Sequence, residues 1–570
     1  MEPAPGDRLW AVDDRPSVRF PIYTRGNTGE VYPNVITPLC GSIVKEPIAR
    51  GQAAALTEMG AVVPRDLAEG GRAVLTGCFG GYLYANLSVG RLMGARAPGM
   101  APEDVDLLLF GTSDAPPYRR QPGDRDVRAT ARLARLVARS LRGPSFDWLD
   151  RERSEVLTWA RSRPPVAGAT EEELLATVDQ GAEHLSVLMR SLLLASSYGG
   201  VASSLVERLA AGADETARAR TAAGVGGVES AGPAVELWQL AQRVAGDPVL
   251  GAVFDGGPGI LGRLEAAGEA ASGFRSALAD FLLRYGARGP DEYELASDTW
   301  GTQPDIALAA VERLRHATAD PARTVAGLRE QQRQAVDEVV RAAPRPVRPL
   351  VRRALRTVAQ GAAGRELAKG SIIEALYAVR LALFELVRRA QDRGAPDDRR
   401  DCFLVTRAEL PAFLADPRPF AGDIAQRAER RDLLQSRTPP FVFDGEIPDP
   451  ETWPRRDSER GAAPARRLEG IGVSPGVARG TVRVIRDPSD PSALVPGDVL
   501  VAPITDPAWT PLFLVAEAVV VEVGAAMSHA AIVARELGIP AVVSAAGATA
   551  LPEGTLVEVD GTRGTVTPVG

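Results

Sequence analysis

The sequence predicts an α+β, multidomain chain, with a large mainly helical part followed by a compact α/β domain at the C-terminus. Three observations predict it. From about residue 125 to 390, apolar residues return at helical spacing. Residues 441–468 are rich in proline and charge and break that pattern. After Gly470 the period shortens to brief β-rich runs. The expected boundaries are a helical domain over 1–440, a linker over 441–468 and a terminal domain over 469–570.

Each element has its own signal. Residues 1–45 hold many Pro and Gly and read as irregular, including the turn-rich stretch Arg25–Pro38. Gly80-Gly81 ahead of Tyr82–Leu87 predicts a strand behind a glycine turn. Arg128–Leu141 and Glu171–Ser197 predict helices, and Ile372, Leu376, Val379, Leu383 and Leu386 line one helical face. Helices should stop at Gly286–Pro290 and Ala343–Pro346. Residues 211–231, small and polar, read as a loop. In the terminal domain, strands are expected at Thr481–Ile485, Asp498–Pro503, Ala518–Val523, Ala541–Ser544 and Leu556–Asp560. Helices are expected at Pro511–Glu517 and from His529 to Leu537.

Composition excludes several classes. With 45% hydrophobic and 24% charged residues the chain is an ordinary globular one. A net charge of −7 offers no basic field, so nucleic acid is not an expected partner. Cys40, Cys78 and Cys402 are too few and too scattered for a disulfide framework or a zinc site, so no metal ligand set is expected. The acidic N-terminus has no apolar signal core, and charges interrupt the apolar runs; neither a membrane span nor a membrane partner is expected, and the cytoplasm is the expected location. Lys45 and Lys369 are the only lysines, and no glycine-rich phosphate loop precedes either. An ATP site within this chain is therefore not expected.

The stretch from Val523 to Pro540 carries the chemistry. Strand Ala518–Val523 enters Gly524, the chain turns, and Ser528 is a good N-cap. His529 then falls in the first helical turn, and Gly538-Ile-Pro540 stops the helix. A helix N-terminus offers unpaired N–H groups and a positive dipole end to a phosphate. A neutral imidazole can serve there as a covalent nucleophile. Position alone favours a surface histidine beside a helix cap. His184 and His316 both sit in helical runs and read as packed or solvated side chains.

Four stretches, taken in order, resemble the mobile phosphohistidine domain of the phosphoenolpyruvate synthase and pyruvate phosphate dikinase family. They are Gly470–Gly476, Asp498–Pro507, Trp509-Thr510-Pro511 and Ser528–Pro540. Met527 and Ser544 depart from the family pattern, since a small residue and a glycine are usual there. The resemblance implies a swivelling β/β/α domain phosphorylated on His529, with Ser528, Thr510 and Arg535 supporting the site. The larger part resembles the substrate-binding domain of rifampicin phosphotransferases. Asn27–Pro33, Thr37–Leu39, Tyr285–Ala296 with Trp300, Asp401–Leu404 and Glu409-Leu410 carry that resemblance. Ala287 stands where many relatives have His, so a proton-transfer role there does not carry over. Arg288 could hold a travelling phosphate and Glu292 could take an acceptor proton, or the two could form a structural ion pair. Glu30, in a glycine-flanked loop, is either a polar wall of the pocket or a solvated turn residue. Tyr82, Tyr84 and Trp300 read as core aromatics.

The resemblance therefore implies a phosphotransferase component of the dikinase type, similar to a phenylphosphate synthase scheme. A separate ATP-grasp-type protein would supply phosphate with Mg2+, no cofactor being bound by this chain alone. His529 would pass the phosphate to a small hydroxyl-bearing substrate. Two alternatives share the histidine: a non-catalytic phosphorelay or regulatory module, and a dehydratase that phosphorylates a hydroxyl to eliminate it.

Overall fold

The computed structural model describes residues 10–67, 74–97, 100–106, 116–163, 165–221, 228–315, 321–456, 467–486, 494–505, 509–524 and 528–569. The contacts divide the chain into two units. Unit one holds residues 1–201, 293–297 and 367–459; unit two holds 202–292, 298–366 and 460–570. The helical region, expected as one body over 1–440, is thus shared between the units.

Unit one is built on a four-stranded antiparallel sheet of order β2-β3-β1-β4. The strands are β1 (Ile22–Thr24), β2 (Thr76–Phe79), β3 (Tyr82–Asn86) and β4 (Val442–Asp444). Gly80 and Gly81 join β2 to β3 with φ of 57° and 78°. Both values are left-handed, as a two-residue hairpin matching strand twist requires. Tyr23, Phe79, Tyr84 and Phe443 meet edge-on or stacked on this sheet at centroid distances of 4.6 to 5.9 Å. Helix α1 (Pro38–Met59) packs on β2, and α3 (Glu171–Leu209) and α8 (Arg348–Gln391) contribute residues to the same apolar core, while α2 spans Val127–Arg142. Ile372, Leu376, Val379, Leu383 and Leu386 on α8 are all buried in the core, as their spacing predicts.

Four expectations need correction. The stretch 441–456 is not a bare linker: β4 pairs with β1, Tyr23 opposite Phe443, and Trp453 is 3% exposed. The free edge of β1 gives the proline-rich segment a partner its own composition does not reveal. Residues 457–466 lie outside the described residues. The irregular 1–45 stretch contains β1, a short helix at Thr28–Val31 and the start of α1. Within 211–231, a helix forms over Glu215–Arg220, capped where the Asp214 side chain accepts from Ala217 N–H at 3.0 Å, and α4 (Val228–Gly246) begins at Val228. The fourth concerns α3, which is long and apolar enough to cross a membrane, with a mean hydropathy of 1.3 over 18 residues. Its Leu174, Val178, Leu185 and Leu188 pack into the core of unit one.

Unit two contains α4, α5 (Ser272–Tyr285), α6 (Pro304–Leu314) and α7 (Pro321–Ala342), together with the C-terminal domain. That domain has β5 (Leu468–Glu469), β6 (Ile471–Ser474), β7 (Val477–Val484), β8 (Asp498–Ala502), β9 (Ala518–Val521), β10 (Ala541–Val543), β11 (Leu556–Asp560) and β12 (Thr565–Pro568). Its helices are α9 (Thr510–Phe513) and α10 (His529–Leu537). The eight strands run in the order β5-β12-β11-β7-β8-β9-β10-β6. Strands β7 to β10 are parallel neighbours, and the flanking pairs are antiparallel. Strands β8, β9 and β10 are buried on both faces, which explains their Val, Leu and Ala runs. One face, with Val499, Val501, Val520 and Val542, packs on Val557, Val559 and Val566 of the antiparallel strands. The other, with Leu500, Ala502, Val519, Val521 and Val543, packs on Phe513, Ala530, Val533 and Ala534 of the helices. The layering is β, β, α. Gly472 is obligatory at a crossing, since a Cβ there would stand 2.6 Å from the Gly561 carbonyl.

Candidate functional site

Parallel strands deliver their C-terminal ends to one edge, and there β9 runs into Gly524 ahead of α10. Ser528 caps α10 with extended backbone (φ −66°, ψ 164°), and its Oγ accepts from Ala531 N–H at 3.2 Å. Gly538 closes the helix at φ 66°. His529 is therefore the first helical residue, among N–H groups the helix itself leaves unbonded. Its ring is half-buried and meets Phe513 edge-on at 6.2 Å, with Nε2 turned away from solvent. Ser544 takes φ 54°, a conformation that favours glycine, and its hydroxyl donates to the Gly524 carbonyl. That bond joins the end of β10 to the start of the turn leading to His529. Residues 525–527, with Met527, and residues 506–508 lie outside the described residues.

The other expected supports fall in different places. Thr510 opens α9 and is 6% exposed; α9 packs on α10. Arg535 lies six positions beyond His529, nearly two turns along the helix. Its Nε donates to the Val473 carbonyl at 2.5 Å, tying α10 to β6, and burial lowers the guanidinium to about 10. An arginine so placed ties the helix to β6.

Arg288 and Glu292 form an ion pair, Nε to Oε2 2.9 Å, with Glu292 side chain 3% and Arg288 21% exposed. The segment is a loop, as Gly289-Pro290 predicts: Trp300 N–H donates to the Arg288 carbonyl at 2.8 Å and Gly301 N–H to that of Gly286 at 2.8 Å. Trp300 lies in the core of unit two with Tyr285 at its rim, so the loop is held at its root. Tyr82, Tyr84 and Trp300 are all buried, in agreement with their aromatic character in the sequence.

In unit one, Glu30 lies half-buried in the Thr28–Val31 helix, and Asn27 before it has φ 60°. Sequence patterns miss the residues that hold this loop. Arg25 donates to the carbonyls of Tyr32 and Pro33 at 3.0 and 3.1 Å and stacks over Tyr82 at 4.5 Å. Glu294 accepts from Thr37 N–H and Oγ1 at 3.1 and 2.7 Å, and Arg380 donates to the Glu294 carbonyl at 3.0 Å. Both Thr37 and Glu294 sit in stretches the sequence singles out; their pairing across 257 positions leaves no local signal.

His184 and the three cysteines are buried or packed in the fold. His184 packs on Trp159 at 4.6 Å, and burial lowers its pKa. His316 lies outside the described residues. All three cysteines are free and buried, and burial pushes each thiol up, Cys402 to about 12. Among the described residues no group of three His, Cys, Asp or Glu side chains could hold a metal ion.

The C-terminal domain is layered β, β, α, with a Ser528-capped helix that begins at His529, and comparison with known proteins adds to that picture. Residues 494–564 match the mobile domain of PEP-utilising enzymes, and residues 188–366 match the fourth domain of rifampicin phosphotransferase. Parts of the chain are thus similar to PEP-utilising enzymes and to rifampicin phosphotransferase. A protein of Mycobacterium tuberculosis is 29% identical over 96% of this chain and 61% of its own length. A prodigiosin synthesizing transferase of Serratia marcescens is 26% identical over 96% of this chain and 63% of its own. Rifampicin phosphotransferase of Bacillus subtilis is 29% identical over 51% of this chain and 34% of its own. The chain thus spans about three-fifths of the length of the first two.

Proposed function

We propose that this chain is a phosphotransferase component in which His529 carries a phosphoryl group to a small hydroxyl-bearing acceptor. The supporting observation is His529 itself, first in a helix capped by Ser528, inside a segment matching the PEP-utilising mobile domain. The donor is an ATP-binding unit outside these residues, acting with Mg2+, in a dikinase-type scheme. In the first step an imidazole nitrogen attacks the β-phosphorus of ATP, a P–N bond forms and the P–O bond to AMP breaks; water then takes the terminal phosphoryl group as inorganic phosphate, which leaves a single phosphoryl group on His529. In the second, the acceptor oxygen attacks, the P–N bond breaks, and the hydroxyl proton passes to a carboxylate. Glu292 is the proposed base, with Arg288 beside it to bind phosphate oxygens. Ser528 and Thr510 steady the phosphorylated end of α10. Positioning and charge neutralisation supply the catalysis in such transfers.

The test uses phosphoramidate, a small donor that phosphorylates histidine without a partner protein. The wild type should gain one acid-labile phosphate, seen by intact mass and 31P NMR, and His529→Ala should gain none. Equal labelling of the variant overturns the carrier role. Discharge of the label onto a panel of phenols and alcohols then identifies the acceptor. Tight binding of ATP by this chain alone, measured by calorimetry, overturns the external donor.

A further inference from the structure

We propose that Leu514 and Val515 form an apolar seat that docks the histidine domain on helices α4, α6 and α7, and that this seat sets how long His529 stays in its docked position. Both residues are half-buried and belong to two cores at once. They pack against the aliphatic core of the C-terminal domain and against the cluster of Leu237, Leu240, Phe281, Trp300 and Leu308 from the helices. No other residue of the C-terminal domain is in that helical cluster among the described residues.

Two further contacts surround the pair. Helix α9, just before Leu514, packs on α4 and α6, and α10 packs on α4 and α7. At the far end of α10, a Cβ placed on Gly538 would stand 3.4 Å from a side-chain carbon of Leu328 on α7. The seat is also wired to the site. Phe513, adjacent to Leu514, is the ring that meets His529 edge-on. On the helical side, the same cluster holds Trp300, whose N–H fixes the Arg288 carbonyl. Between His529 and the root of the Arg288–Glu292 loop lies one continuous path of packed side chains. An apolar seat suits a reversible dock because it imposes no directional bond that must break, and it loses only buried area on leaving. The consequence for transfer rests on the function proposed above; the seat itself does not.

The experiment is a crosslink within the full chain, Leu328→Cys with Gly538→Cys, joined by a short bismaleimide. The three native cysteines are buried, so background reaction is low. The pair should crosslink rapidly, and adding Leu514→Asp should slow the crosslink at least tenfold. Val515→Asp should act in the same way, while hydrogen exchange in β8 and β10 stays at the wild-type level, showing the domain still folded. An unchanged crosslinking rate in both variants, with folding intact, overturns the seat. Protein charged by phosphoramidate then separates the two claims. With a discharging alcohol or phenol, the variants should charge normally but discharge at least tenfold more slowly. Normal discharge with a lost crosslink overturns the role of the seat in transfer and leaves the carrier function standing.

Discussion

Unit one and the C-terminal domain of unit two both have apolar cores, and they differ in the charges buried beside them. Unit one is tethered by buried ion pairs. Arg96 and Asp66 meet at 2.6 Å with neither side chain exposed, and Arg91 meets Asp106 at 2.6 Å at 1% and 3% exposure. Burial by itself would raise Asp66, but hydrogen bonds from Arg96 and Val63 hold it below the usual carboxylate range. The C-terminal domain instead has a core of Val, Leu and Ala on both faces of its parallel strands. A buried ion pair fixes its partners in register, because displacement leaves a charge without water or counter-ion. An aliphatic core makes a body firm within itself while leaving its outer contacts free to part.

Substitutions can break this contrast. Arg96→Ala should cost about 3–5 kcal/mol, since it strands Asp66 in the interior; the loss should appear in the urea transition of unit one. Leu500→Ala, on the helix-facing side of β8, should cost about 2–4 kcal/mol through lost burial and a cavity. That loss should appear in hydrogen exchange of β8 and β9, with unit one unaffected. A drop shared by both units would contradict their independence. Ser528→Ala should cost about 1 kcal/mol by removing the cap of α10. It should also slow phosphoramidate charging of His529, and Ser528→Thr should restore the rate.

A separate effect is a pH dependence in unit one. Asp13 accepts from Gly80 and Gly81 N–H at 3.1 and 2.9 Å, yet burial outweighs these bonds and raises its carboxyl to about 7. The native state therefore binds this proton more tightly than the unfolded chain, whose carboxyl titrates near 3.8. The contribution is complete below pH 3.8 and is lost as pH rises toward 7. Asp13→Asn should flatten that decline in urea midpoints measured at pH 4, 5.5 and 7. A parallel decline in both proteins would place the effect elsewhere.

Local chemistry makes much of the molecule legible in its residue order. The Gly80-Gly81 hairpin, the apolar face of α8, the Ser528 cap and the Gly538 stop are short-range signals, each set by backbone preference or periodicity. The placement of His529 at a helix start follows from the same signals. The supporting residues are less legible: Arg535 lies in the right helix but nearly two turns from the histidine, and only its bond to Val473 gives its task.

Residue order alone sets the segments, their periods and the one histidine at a capped helix start, because these depend on neighbours within a few positions. Folding in three dimensions was needed to make residues 441–444 complete a sheet begun at residue 22, and to bring Glu294 to Thr37. The same holds for the seating of Leu514 and Val515 on the helices. Such pairings join residues far apart in the chain, where edge hydrogen bonds and apolar area find partners by shape and not by adjacency.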